Sequence, residues 1–404
     1  MQNMNARWLT VVGIGEDGVE GLGERQRSAI SSATHVFGGL RHLELAGNLI
    51  QGQAHAWPTP FSVEPVLSLR GQSVCVLASG DPMLFGVGAT FARFVSPAAM
   101  RVLPAPSAFS LAAARQGWAL QDVEAVSLHG RPVELILPLL HEGRCILALT
   151  SDDHGPRVVA RLLTDNGFGA SRITVLESIG GQNERIRSIS AASFNLNDVN
   201  ALNVLAIEVE SDPQARELPL TAGRANDLFE NDGQLTKQEV RAVTLASLAP
   251  KRGQILWDVG AGSGSIAIEW MMAHPSMRAI AIEADPVRAE RIARNARKCG
   301  VPGLRVVQGF APEALESLST PDAIFIGGGG SDDGVLEAAI NKLVPKGRLV
   351  ANAVTLEFEQ MLLARQASLG GKLLRIAISH ASAVGSMQAW RPAMPVTQWV
   401  WTKP

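Results

Sequence analysis

Short continuous apolar runs alternate along the chain with stretches of helical spacing. Residues 8–12 form the first run and close on Gly13-Ile14-Gly15-Glu16-Asp17-Gly18. Helical spacing follows over 24–33, and a further run at 35–37 ends in Gly38-Gly39. The run 74–78 ends in Ser79-Gly80-Asp81-Pro82, with a helix expected from about Leu84. Residues 101–103 lead into Pro104-Ala105-Pro106-Ser107, where a capping serine predicts a helix from Ala108. Runs at 145–149, 173–176 and 204–207 complete this half, with a helix over 156–166. Buried strands alternating with helices predict a mostly parallel α/β sheet.

The pattern weakens over 211–234, a polar stretch carrying Pro213 and Pro219. It resumes with a helix over 236–248, where Thr236 and Glu239 have the spacing of a capping box. Strands at 255–259, 279–282, 305–307, 323–326 and 348–352 then alternate with helices at 265–273, 286–298 and 334–343. That order predicts a second doubly wound sheet. The expected organisation is a first domain over 7–211, a linker and lead-in over 212–234, and a second domain over 235–404.

Charge usage changes at the same place. Residues 1–216 hold 16 Arg and no Lys against 20 acidic residues, and the first lysine is Lys237. The net charge of −2 leaves no global basic field, so a nucleic-acid partner is not expected. No apolar run reaches membrane-spanning length and no leader pattern precedes Trp8, so the expected location is the cytoplasm. Cys75, Cys145 and Cys299 make no CxxC pair, and the eight histidines make no HxH or HExxH. No metal site is expected.

The chemistry concentrates at Asp258-Val259-Gly260-Ala261-Gly262-Ser263-Gly264, at the carboxyl end of a predicted strand and the start of a helix. Open α/β sheets bind ligands in that crevice. Glu283 ends the next strand, where its carboxylate can accept hydrogen bonds from ribose hydroxyls. The GxGxG spacing departs from the dinucleotide GxGxxG. The Asp258 carboxylate opposes a pyrophosphate and suits the ammonium of an aminocarboxypropyl group. S-adenosylmethionine (SAM) is therefore favoured over NAD, with a glycine turn holding no ligand as the remaining reading.

Residues from about 218 to the C-terminus resemble the class I SAM-dependent methyltransferases. The stretches Leu235-Thr236-Lys237-Gln238-Glu239-Val240-Arg241 and Gly309-Phe310-Ala311-Pro312-Glu313-Ala314-Leu315 resemble, more closely, the decarboxylating precorrin methyltransferases. That resemblance places Thr236, Gly260, Ala261, Gly262, Ser263 and Gly264 at SAM, Glu283 at its ribose and Ala311 beside its adenine. The glycine-rich turn after the fourth strand matches Ile326-Gly327-Gly328-Gly329-Gly330-Ser331. In the first half, Ala78-Ser79-Gly80-Asp81-Pro82-Met83-Leu84-Phe85-Gly86, Pro104-Ala105-Pro106-Ser107-Ala108 and Leu128-His129-Gly130-Arg131-Pro132 resemble the tetrapyrrole (corrin/porphyrin) methylases. The contacts this implies for SAM are Gly80, Asp81, Leu84, Ser107 and Ala108, with the loop at 13–18 near the tetrapyrrole.

Together these resemblances imply a two-subdomain tetrapyrrole methylase (class III) fold followed by a Rossmann-like class I methyltransferase fold. They imply a bifunctional corrin-pathway enzyme that takes two SAM, one per domain. It would methylate meso carbons 5 and 15 of precorrin-6B, the first domain serving carbon 5 and the second carbon 15, and would release the ring-C acetate carboxyl, giving precorrin-8. They also imply self-association. The many substrate carboxylates call for arginines, among which Arg41, Arg131, Arg224 and Arg241 stand in or near these motifs. Arg241 is the first candidate catalytic residue and His129 the second. The row Arg288, Arg291, Arg294, Arg297 and Lys298 reads as a solvated helix face rather than an RNA surface. Trp399 and Trp401 share one strand face and are expected in the core, while Trp390 is a candidate for stacking. The competing readings are an RNA or protein methyltransferase carrying a recognition module, and a non-catalytic SAM sensor.

Overall fold

The computed structural model describes residues 7–404. The expected absence of a leader rests largely on residues 1–6, which lie outside the described residues. The chain divides into two compact units, one of residues up to Val133 with His141–Arg216, the other of Glu134–Leu140 with Glu217–Pro404.

The first unit holds two sheets. One is built from β1 (Leu9–Ile14), β2 (His35–Gly38), β3 (Gln53–Ala56), β4 (Val74–Ser79) and β5 (Met100–Leu103), in the order β3-β2-β4-β1-β5. All its pairings are parallel. Its central strands are apolar on both faces because each face packs a core, Val11 and Val76 on one side, Val12 and Leu77 on the other. The other sheet is built from β6 (Val123–Ser127), β7 (Cys145–Leu149), β8 (Arg172–Glu177), β9 (Arg185–Ser190) and β10 (Asn203–Glu208), in the order β6-β7-β10-β8-β9. Here only β6 and β7 run parallel. The mostly parallel expectation thus holds for the first sheet and fails for the second. A buried strand reads the same in either direction, so apolar runs do not report polarity.

The second unit carries β11 (Ile255–Val259), β12 (Arg278–Glu283), β13 (Arg305–Gln308), β14 (Ala323–Ile326), β15 (Arg348–Ala353), β16 (Lys372–Ile376) and β19 (Val396–Thr402) in one sheet. The order is β13-β12-β11-β14-β15-β19-β16, with β19 antiparallel to both neighbours. Between β16 and β19, β17 (Ser379–Val384) and β18 (Met387–Pro392) pair only with each other in an exposed ribbon. Trp399 and Trp401 stack with ring centroids 5.9 Å apart and are buried, as their shared face predicts. Trp390 stands 74% exposed on the ribbon.

Residues 217–234 have little regular structure but are fixed to the second unit. Phe229 is in its core, and Glu230 pairs with Arg294 and Lys298 on the helix Pro286–Lys298. Asp232 pairs with Arg288 and Arg291 of the same helix. Four of the five cations in this row thus pair with two carboxylates of their own chain, in line with a structural face. The capping box at Thr236 does not form. The helix runs Gln238–Leu248, so Lys237 rather than Thr236 stands at the N-cap and makes no side-chain cap, and the Thr236 carbonyl accepts from the Arg241 guanidinium.

Candidate functional site

In the first unit three turns meet where β1 and β4 end. The Gly80 amide donates to the Ile14 carbonyl at 3.1 Å, and the Gly80 carbonyl accepts from Ala105 at 3.1 Å. A Cβ on Gly13 would collide with that same Gly80 carbonyl, and Gly80 itself sits at φ +54°. Glycine is required at both positions by backbone packing and by conformation.

These turns border a cavity of about 570 Å³, lined by Gly80, Asp81, Leu84, Ser107, Ala108, His129 and Arg131. Cavities of this size suit a nucleoside-sized ligand. Ser107 caps the helix Ala108–Gln116, its hydroxyl accepting from the Ser110 amide at 3.0 Å, as the sequence predicts. Asp81 does not open a helix at Leu84. Its carboxylate accepts from the Met83 amide at 2.8 Å, and the helix begins only at Val87, after Gly86. Ile14, Gly15 and Glu16 of the first loop line the same cavity.

A polar cluster at the cavity wall joins Glu16 and Ser79 of the two motifs to Arg41 and to His42, which no motif contains. Arg41 pairs with Glu16, and its guanidinium also donates to the Ser79 hydroxyl at 2.9 Å. His42 Nε2 lies 2.8 Å from the same hydroxyl. Burial and the neighbouring Arg41 push His42 down to about 4, so it is neutral near pH 7. His129 contacts the Thr150 carbonyl at 3.3 Å through Nδ1.

In the second unit a cavity of about 680 Å³ opens at the carboxyl ends of the strands. Thr236, Asp258, Gly260, Ala261, Gly262, Glu283 and Ala311 line it. Gly260 has φ +67°, and a Cβ there would collide with Gly328 of the turn after β14. The Gly262 amide donates to Glu283 Oε2 at 2.7 Å, and the Asp285 amide to Oε1 at 3.1 Å. Glu283 therefore enters the site oriented by backbone, with lone pairs to spare.

Asp258 is 1% exposed. Its Oδ2 accepts from the Ala267 amide at 3.0 Å, whereas Oδ1 has no partner. Burial, partly offset by that amide bond and reinforced by Glu283, pushes the carboxyl up to about 7. The permanent negative charge expected from sequence is thus muted near neutrality, because the cost of desolvation outweighs one hydrogen bond. An unpaired buried carboxylate oxygen fits an incoming ammonium group.

Four sequence candidates stand elsewhere. Ser263 is buried beneath the loop and Gly264 packs against Ile292, so neither lines the cavity. Arg241, the first catalytic candidate, is fully buried. It donates to Glu269 Oε1 at 2.7 Å and to the carbonyls of Thr236 and Arg224, and it stacks on Phe229 at 4.8 Å. Arg224 is 4% exposed and faces Glu269 at 3.6 Å. Both arginines serve the protein interior, and neither reaches a substrate carboxylate. Cavity residues without a sequence motif include Asn352 and His380. The one sequence signal for Asn352 is a polar residue inside the apolar end of a strand.

A family model described as tetrapyrrole (corrin/porphyrin) methylases matches residues 8–194, and one described as precorrin methyltransferase domain matches 227–403. The class is therefore a chain of two methyltransferase units. A Sinorhizobium precorrin-6Y C(5,15)-methyltransferase [decarboxylating] is 60% identical over 398 residues, 98% of this chain and 96% of the relative. The protein of that name from Mycobacterium tuberculosis is 40% identical over 400 residues, 98% of this chain and 100% of the relative. A crystal structure of the C-terminal domain of precorrin-6Y C5,15-methyltransferase from Rhodobacter capsulatus is 45% identical, covers 46% of this chain and 100% of its own, and has a TM-score of 0.44. The chain belongs to the family of decarboxylating precorrin-6Y C5,15-methyltransferases. Methyltransferases of this family take their methyl group from SAM.

Proposed function

We propose that the chain methylates meso carbons 5 and 15 of precorrin-6B and releases the ring-C acetate carboxyl as carbon dioxide, giving precorrin-8. The observation that carries this reading is that each unit has its own glycine-bordered cavity where parallel strands end. Each cavity takes one SAM, so the chain uses two. The sulfonium of SAM supplies an electrophilic methyl group, and a reduced tetrapyrrole offers enamine-like meso carbons as nucleophiles. The protein has to align the two and exclude water.

In the first unit, Gly80, Asp81, Leu84, Ser107 and Ala108 hold SAM, and Arg41 and Arg131 face substrate carboxylates. This unit serves carbon 5. In the second unit, Asp258 takes the SAM ammonium through its open Oδ1. Glu283 takes the ribose hydroxyls, and Thr236, the loop from Gly260 to Gly262 and Ala311 border the nucleoside. This unit serves carbon 15 and the decarboxylation. The catalytic domains are 7–211 and 235–404, with 212–234 between them. Decarboxylation needs an electron sink, which a ring imine of the macrocycle supplies.

No helix among the described residues is long and apolar enough to cross a membrane, and no His/Cys/Asp/Glu cluster among them could hold a metal ion. We place the protein in the cytoplasm, as a self-associating enzyme without a nucleic-acid partner. The testing experiment is mass spectrometry of metal-free precorrin-6B incubated with SAM and the full chain. Gain of two methyl groups with loss of carbon dioxide is expected. An unchanged substrate mass with SAM bound overturns the reading for the metal-free substrate.

A further inference from the structure

A buried amide network in the second unit ends at the cavity, and it rests on the reading of that unit as the carbon-15 and decarboxylation site. Asn352 lies at the carboxyl end of β15, directly opposite Gln398 of β19, and is 8% exposed. Its side chain faces the helix Gln238–Leu248, where the Thr244 hydroxyl donates to the Val240 carbonyl at 2.7 Å. With its hydrogen used, the Thr244 oxygen can only accept. It accepts from Asn352 Nδ2 at 2.9 Å and from Gln398 Nε2 at 3.2 Å. Gln398 Nε2 also donates to Asn352 Oδ1 at 2.8 Å, and its own Oε1 accepts from the Ser247 hydroxyl at 2.8 Å.

This chain of donors fixes the orientation of both amides. Turning Asn352 over would set its carbonyl against the Thr244 acceptor and its NH2 against the Gln398 NH2. The amide of Asn352 has two hydrogens, and one is used. The other meets no acceptor among the described residues, and the side chain lines the cavity. Uncharged polar groups buried this deeply are costly unless paired. Thr244 and Gln398, both 0% exposed, serve to hold one N–H open.

The surroundings select the acceptor. Val354 lies two residues beyond Asn352, just past the end of β15. Val396 and its partner Ile376 share the face of Gln398. All three line the cavity. A neutral donor among aliphatic side chains suits a neutral acceptor and leaves a carboxylate poorly solvated.

We propose that Asn352 donates a hydrogen bond to an imine-type ring nitrogen of the bound macrocycle and is a catalytic residue of the decarboxylation. The bond between the acetate methylene and its carboxylate breaks and carbon dioxide leaves. The electron pair passes through the conjugated ring to that nitrogen, where the Asn352 N–H stabilises it. A proton from water then returns the methylene to a methyl group. Thr244 and Gln398 are positioning residues.

The experiment measures carbon dioxide release and methyl gain by the full chain on precorrin-6B with SAM, with wild-type turnover as the control for the underlying reading. Loss of one aimed donor predicts about 10²-fold slower carbon dioxide release for Asn352→Asp, read in kcat rather than KM, with SAM affinity retained. Should Asn352→Asp lose SAM binding, Thr244→Val against Thr244→Ser carries the test. The serine keeps the acceptor that orients Asn352 and should run near wild type, and the valine should be slow. Carbon dioxide release within threefold of wild type in Asn352→Asp, or equal rates in the two Thr244 variants, would overturn the proposal.

Discussion

The two cavities meet the same requirement with different parts. In the first unit the ligand space is bordered by the helix N-terminus behind Ser107 and by the ion pair of Arg41 with Glu16. In the second it is bordered by carboxylates, with Asp258 buried and half-paired and Glu283 held by two backbone amides. What they share is a left-handed glycine at a strand end, Gly80 in one and Gly260 in the other, where another turn packs against the backbone. The lesson is that the fold supplies the place and the local groups supply the recognition. The two sites should therefore fail independently and respond differently to pH.

The largest effect separates structure from site within the second unit. Arg241→Ala removes the close ion-pair partner of the buried Glu269 and leaves it only the more distant Arg224, which should cost about 3–5 kcal/mol. Calorimetry should show the second unit's transition falling while the first unit's stays. A lost activity with an unmoved transition would return Arg241 to the substrate. Next, Gly260→Ala forces a side chain into a left-handed position worth about 1–2 kcal/mol, before the clash with Gly328. SAM binding in the second unit should weaken tenfold or more while the first site keeps its affinity, and Gly80→Ala should do the converse. Equilibrium titration of each variant distinguishes the sites, and a variant that weakens both breaks the comparison.

The pH dependence is a smaller effect. With Asp258 held up to about 7, the fraction ionised falls from roughly nine-tenths at pH 8 to about one-tenth at pH 6. Affinity for SAM in the second unit should fall about tenfold over that range, and Asp258→Asn should flatten the profile. The same shift has a stability consequence. The free carboxyl favours its protonated form when folded, so the ligand-free unit loses stability as pH rises from about 4 towards 7. The variant should remove that slope in denaturant titrations. The smallest effect is expected for Trp390→Ser on the exposed ribbon, within about 0.5 kcal/mol of wild-type stability.

Sequence was most informative where an element buries an apolar run or an apolar stripe. The strand at Ala323–Ile326 and the helix Pro286–Lys298 stand where their apolar spacing predicts. It was silent on β3, β9 and the ribbon strands, which are largely exposed and so lack an apolar run. The glycine loops were legible because strand-end glycines are forced by backbone geometry. Which charged residues face a ligand was not. Arg241 and Arg41 look alike in the chain, yet one is sealed against Glu269 and the other lines a cavity. Asn352 had no motif, since its chemistry comes from Thr244 and Gln398, far away in sequence.

The central claim is that one chain holds two independent SAM sites. Calorimetric titration of the full chain with S-adenosylhomocysteine tests it most directly. The account predicts two bound per chain for wild type, and for each of Gly80→Ala and Gly260→Ala one site unchanged and the other weakened tenfold or more. A wild-type stoichiometry of one, or loss of both sites through a single substitution, would contradict it.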